Sequence, residues 1–210
     1  MIDCHIIEHG TPQHCMIWLH GLGADGYDLA PLAEELRGAW DDDVRFVFPH
    51  APRRPVTING GYTMPAWYDI VHNDIHRECD SAGIHQSYAQ IQTIIDEQRA
   101  QGMEHIILAG FSQGGAMAVY TGLRQSEPLT GIIALSCYHL LARETVTAEP
   151  LPIFIGHGDS DPIVPPFLGK DLRDAMQQQG HTVQWYSYPM EHSIHPQEIA
   201  DICQWCHDLI

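Results

Sequence analysis

The chain has 210 residues, 44% hydrophobic and 18% charged, which suits one substantial core and excludes a disordered chain. Ten Lys and Arg stand against 27 Asp and Glu, a formal charge of −17; such a surface repels phosphate backbones and anionic lipid and argues against nucleic-acid binding. No apolar window reaches the length of a membrane span, no basic-then-apolar leader follows Met1, and the six scattered cysteines read as reduced thiols. A single domain over residues 1–210 is expected, cytoplasmic and without stable membrane insertion.

Short apolar runs alternate with longer helical patterns along the chain. His5 to His9 reads as an antiparallel edge strand, joined by the Gly10-Thr11-Pro12 turn to a strand at Cys15 to His20. A glycine-rich loop follows, His20-Gly21-Leu22-Gly23-Ala24-Asp25-Gly26, and then a helix from Asp28 to Trp40 with Leu29, Leu32, Ala33 and Leu36 on one face. Val44 to Pro49 is the next strand. Residues 50–80 break the alternation: Pro52, Pro55, Pro65 and the Gly60-Gly61 pair leave no clean period. A long excursion of that kind is usually functional, and it is expected to help wall a site. The spacing of Ile84, Tyr88, Ile91 and Ile95 predicts a helix from Ser81 to Gln101. Further strands are expected at His105 to Ala109, Gly131 to Ser136, Pro152 to Gly156 and Val183 to Tyr188, with helices at Gln113 to Arg124, Pro166 to Gln179 and Pro196 to Leu209. Strand-helix alternation of this sort predicts an open, mostly parallel α/β sheet covered by helices on both faces, with ligands bound beyond the carboxyl ends of the strands.

The most informative stretch is Gly110-Phe111-Ser112-Gln113-Gly114, set between the run His105-Ile106-Ile107-Leu108-Ala109 and the small residues that open the next helix. A serine at the apex of a sharp strand-to-helix turn is held out of the sheet, and the new helix aims its N-terminus at the place where an oxyanion would form. Small neighbours let the backbone bend that tightly. A serine hydroxyl needs a base, and the base needs an orienting acid. Both should come later, each just past a strand: the acid in His157-Gly158-Asp159-Ser160-Asp161-Pro162-Ile163-Val164-Pro165, the base in Pro189-Met190-Glu191-His192-Ser193. Local chemistry leaves Asp159 and Asp161 both open as the acid, and His192 and His195 both open as the base. Position favours His192, because His195-Pro196 looks like a helix entry. The oxyanion amides would be those of Gln113 and Leu22.

Leu19-His20-Gly21-Leu22-Gly23, Gly110-Phe111-Ser112-Gln113-Gly114-Gly115 and the 157–165 stretch resemble the signatures of the phospholipase/carboxylesterase family. This is an α/β-hydrolase group that includes acyl-protein thioesterases and small bacterial carboxylesterases. Ala51-Pro52 through Thr57, Met64-Pro65-Ala66-Trp67-Tyr68-Asp69 and Ala134-Leu135-Ser136 extend the likeness nearly end to end. The resemblance implies an α/β-hydrolase fold and a Ser112-Asp161-His192 triad with Leu22 and Gln113 as oxyanion amides. It implies a serine carboxylesterase without a cofactor, with an acyl-protein thioesterase or lysophospholipase as the alternative. The substrate would be a small ester or acyl compound, a lysophospholipid or an acylated protein. Pro189-Met190-Glu191-His192 departs from the glycine-bearing turn of many relatives, which affects the loop's shape and not the histidine.

Met64, Trp67 and Val164 are candidates for lining an acyl pocket, with simple packing the competing and favoured reading for Met64 and Trp67. Cys203-Gln204-Trp205-Cys206-His207 matches a haem-attachment pattern, but Ile199, Ile202, Cys203, Cys206 and Ile210 form one apolar helical stripe, so the cysteines read as core-facing. His72, His76, Glu78 and Asp80 lack any accepted metal-ligand spacing, and no metal is expected. The rival from another class is a non-catalytic binding module on the same fold, against which the intact serine, acid, histidine and oxyanion loop all count. A homodimer is compatible with either reading.

Overall fold

The computed structural model describes residues 2–40, 43–72, 79–141 and 149–209. Its strands are β1 (Cys4–Glu8), β2 (His14–Leu19), β3 (Val44–Pro49), β4 (Arg53–Val56), β5 (Tyr62–Pro65), β6 (His105–Phe111), β7 (Gly131–Leu135), β8 (Pro152–Gly158) and β9 (Thr182–Tyr188). A seven-stranded sheet runs in the order β1-β3-β2-β6-β7-β8-β9, and β4 and β5 pair separately. Only β1, against β3, is antiparallel in the large sheet. The helices are α1 (Gly26–Leu29), α2 (Leu32–Glu35), α3 (Ser81–Ala100), α4 (Gln113–Gly122), α5 (Pro166–Gln178) and α6 (Pro196–Asp208).

The continuous apolar runs are explained by burial of both sheet faces. Along β2, Cys15, Ile17 and Leu19 enter one core while Met16 and Trp18 enter the other. Ile84 and Ile91 of α3, Met117 of α4 and Leu172 of α5 complete the first core. Leu32 of α2 and Ile202 and Trp205 of α6 complete the second. Each such side chain contributes roughly 1.5–3 kcal/mol through its removal from water. Strand β3 lies on one side of β2 and β6 on the other, so the winding switches direction between β2 and β6. The crevice at their carboxyl ends is where open α/β sheets bind ligands.

Strand β1 is the expected antiparallel edge; it pairs with β3 from Cys4↔Pro49 to Glu8↔Arg45 and is not a neighbour of β2. Two expectations are corrected. The helix expected from Asp28 to Trp40 is broken into α1, α2 and a 3-10 turn at Arg37–Trp40, because Pro31 has no N–H to continue the ladder. The 50–80 excursion contains order: β4 and β5 form a hairpin whose tip turns through Gly60 and Gly61 at φ +66° and +78°. Left-handed backbone of that kind suits glycine. Residues 73–78, which include His76 and Glu78 of the set weighed for a metal, lie outside the described residues. Asp80 of that set caps α3 by accepting from the Gly83 amide at 2.9 Å. Among the described residues no helix is long and apolar enough to cross a membrane.

Candidate active site

The turn from β6 into α4 places Ser112 at φ +55°, ψ −119°. A non-glycine residue there stores about 1–3 kcal/mol of strain and persists only where its surroundings impose it. They do so here: the Ser112 amide donates to the Leu135 carbonyl of β7 at 2.8 Å, and its carbonyl accepts from Ala116 at 3.1 Å. The flanking glycines serve close approach. A Cβ at Gly114 would run into the Leu19 carbonyl at the end of β2, and one at Gly110 into the Gly114 carbonyl.

His192 follows β9, and its Nδ1 donates to Asp161 Oδ2 at 2.7 Å. Asp161 follows β8 and is nearly fully buried. Its Oδ1 accepts the amides of Ile163 at 2.8 Å and Val164 at 2.9 Å, which turns the carboxylate inward. With Nδ1 committed to the acid, Nε2 of His192 is left as the basic nitrogen. The other two candidates are engaged locally. Asp159 is exposed and accepts from Ser160 Oγ, and the His195 side chain caps α6 by accepting from the Gln197 amide at 3.1 Å.

Ser112 and His192 line one cavity of about 900 Å³, together with Leu22, Gln113 and Val164. Its walls are mainly apolar, and the 50–80 excursion contributes Ile58 and Ile70. Exposed Ile58, Tyr62, Ile163 and Phe167 bring unpaired apolar surface to the segments on either side of it. Tyr138 adds a buried hydroxyl to one wall, bonded to the Tyr68 hydroxyl at 2.5 Å. Burial raises both phenols above their ordinary range, so they remain neutral donors and acceptors.

Met64 and Trp67 are not among the lining side chains. Trp67 is fully buried behind the glycine-rich 20–26 loop, where its indole N–H donates to the His20 carbonyl at 2.9 Å. Met64, on β5, has its Sδ 3.6 Å from where a Cβ on Gly23 would stand. The Gln113 side chain clamps the same excursion: its Oε1 accepts from the Trp67 amide at 2.9 Å and its Nε2 donates to the Tyr68 carbonyl at 2.8 Å. His20 completes the clamp. Its Nε2 accepts from the Ala51 amide at 3.0 Å, so Nδ1 carries the proton and donates to the Gly21 carbonyl at 2.8 Å. Burial lowers the His20 pKa, with the Gly21 bond opposing it, and keeps the ring neutral. Sequence reasoning did not assign these side-chain roles. They join residues 30 to 50 positions apart, and no local spacing signals them.

Among the described residues no cysteine is in a disulfide. Cys206 is buried on α6, which raises its thiol well above the ordinary value, and Cys203 lies half-buried beside it.

A family model described as Phospholipase/Carboxylesterase matches residues 3–210. The chain is 40% identical over 203 residues to acyl-protein thioesterase 1 of Neurospora crassa, covering 89% of this chain and 83% of that protein. It is 36% identical over 215 residues to acyl-protein thioesterase 1 of Gibberella zeae, covering 94% and 92%. Among solved structures it is similar to acyl-protein thioesterase 2 of Zea mays, with a TM-score of 0.86, 26% identity and coverage of 100% and 99%.

Proposed function

Because the chain belongs to the phospholipase/carboxylesterase family and is a serine hydrolase of the α/β-hydrolase fold, we propose that it hydrolyses acyl thioesters, and carboxylic esters by the same steps, with Ser112, His192 and Asp161 as its triad. The observation that carries this reading is the His192–Asp161 bond of 2.7 Å at a cavity that also presents Ser112. In the proposed cycle, His192 Nε2 removes the proton as Ser112 Oγ attacks the acyl carbonyl. Asp161 holds the ring's tautomer and stabilises the imidazolium. The amides of Leu22 and Gln113 take the developing oxyanion, each worth about a hundred- to a thousand-fold in rate. His192 then protonates the leaving thiol or alcohol, and water repeats the sequence on the acyl-serine to release the acid.

The walls support the substrate class. A cavity of about 900 Å³ with mainly apolar walls and exposed Ile163 and Phe167 nearby suits an acyl chain rather than a small polar ester. The relatives named acyl-protein thioesterase support the thioester reading. A series of p-nitrophenyl esters and matched acyl thioesters, from short to long chains, tests it with wild type and Ser112→Ala in parallel. The proposal expects thioester turnover that rises with chain length and is lost in the variant. A preference confined to the shortest esters would overturn the substrate class, and turnover retained in the variant would overturn the nucleophile.

A further inference from the structure

The proposed triad accounts for Asp161 and His192 but not for a second imidazole beside the same carboxylate. His157 lies on β8, fully buried, with its ring 6.1 Å from that of Trp185 and nearly parallel to it. Gly169 of α5 makes the space: a Cβ there would strike Nδ1. His157 Nε2 is 2.8 Å from the Val164 carbonyl. A carbonyl only accepts, so Nε2 carries the proton. The same nitrogen is 3.6 Å from Asp161 Oδ2, the oxygen that His192 binds at 2.7 Å.

We infer that His157 is a positioning residue for the reaction: its buried Nε2–H closes the 161–164 strap that aims Asp161 at His192. The inference rests on the triad proposed above. Val164 is pinned twice, by its amide to Asp161 Oδ1 and by its carbonyl to His157. Without the second bond the carbonyl is buried unsatisfied, and the strap can relax away from the geometry His192 needs. The charge state matters as well. Burial lowers the His157 pKa, His192 and Lys170 lower it further, and the Val164 carbonyl and Asp161 oppose them. A neutral imidazole offers Asp161 a dipole without competing, as a cation would, with the imidazolium that forms on His192. Val164 also lines the cavity, so the strap joins the acid to the substrate wall.

The test uses His157→Phe, which keeps a ring but no donor, and His157→Gln, whose amide N–H can reach the Val164 carbonyl. Each is made in the wild-type and Asp161→Asn backgrounds and followed by ester turnover and by fluorophosphonate labelling rate. Losing the acid's orientation costs up to about 10⁴-fold in such triads. His157→Phe is expected to cost about 10- to 100-fold in kcat with little change in KM, and His157→Gln to recover most of it. Added to Asp161→Asn, His157→Phe should cost less than about threefold more, because both act through one group. A loss that multiplies in full on the Asp161→Asn background would overturn the inference, as would wild-type rates in a folded His157→Phe protein. If the Phe variant does not fold, the histidine ¹⁵N spectrum of the wild type decides. A ring protonated on Nε2 at neutral pH supports the assignment, and an Nδ1–H ring refutes it. Labelling unaffected by Asp161→Asn alone would instead reject the triad reading.

Discussion

Replacing Glu198 with glutamine should stabilise the folded protein by an amount that grows with pH. Glu198, on the first turn of α6, is fully buried. Its Oε2 accepts from the His195 amide at 3.3 Å, while Oε1 lies against Gly156 of β8 with no hydrogen-bond partner among the described residues. Burial, reinforced by nearby Asp201 and opposed by the His195 bond, pushes the carboxyl from its ordinary 4.5 up to about 8. The folded protein therefore keeps a proton that the unfolded chain loses above 4.5, so stability falls as pH rises from 4.5 to about 8 and is flat outside that window. Each pH unit inside it removes about 1.4 kcal/mol, for a total on the order of 5 kcal/mol. Glutamine keeps the shape and the acceptor for His195 and does not titrate. Thermal unfolding of both proteins from about pH 5 to pH 8 should show the gap in Tm widening by roughly 10 °C. The gap isolates this carboxyl, since every other group titrates in both proteins. Parallel curves across the window would refute the reasoning.

Other expectations follow from the clamp and the proposed triad. Asp161→Asn should lower kcat by about 10⁴-fold, whereas Asp159→Asn, on an exposed side chain, should stay within about twofold of wild type; equal losses in the two would contradict the assignment. Trp67→Phe removes the indole donor to the His20 carbonyl and loosens the glycine-rich loop proposed to hold the oxyanion. It should cost about 10-fold in kcat and about 1 kcal/mol of stability with KM little changed, and a rise in KM alone would place Trp67 in substrate binding instead.

Much of the fold was legible because the governing forces are local. Runs such as His105-Ile106-Ile107-Leu108-Ala109 signal strands covered on both faces, and glycines around Ser112 signal a turn with no room for Cβ atoms. The choice between Asp159 and Asp161 was not legible from local chemistry, since the two share one loop. In the structure the amides of Ile163 and Val164 draw Asp161 inward and Asp159 stays in solvent, which supports Asp161 as the proposed acid. The pairing of β1 with β3 is a contact between residues some 40 positions apart, which no local pattern signals. The β4–β5 hairpin hid because its strands are four residues long and carry Pro55 and Pro65. Trp67 stood open between lining the pocket and simple packing because a large aromatic in a functional loop suits either role. What decides is the acceptor for its indole N–H, the His20 carbonyl, 47 positions away.

The most direct test of the central claim is to label the wild-type protein with a fluorophosphonate and locate the adduct by peptide mass spectrometry. The account predicts one rapidly formed adduct, on Ser112, whose rate collapses in His192→Ala. An adduct on another serine, or equal labelling in the two proteins, would contradict it.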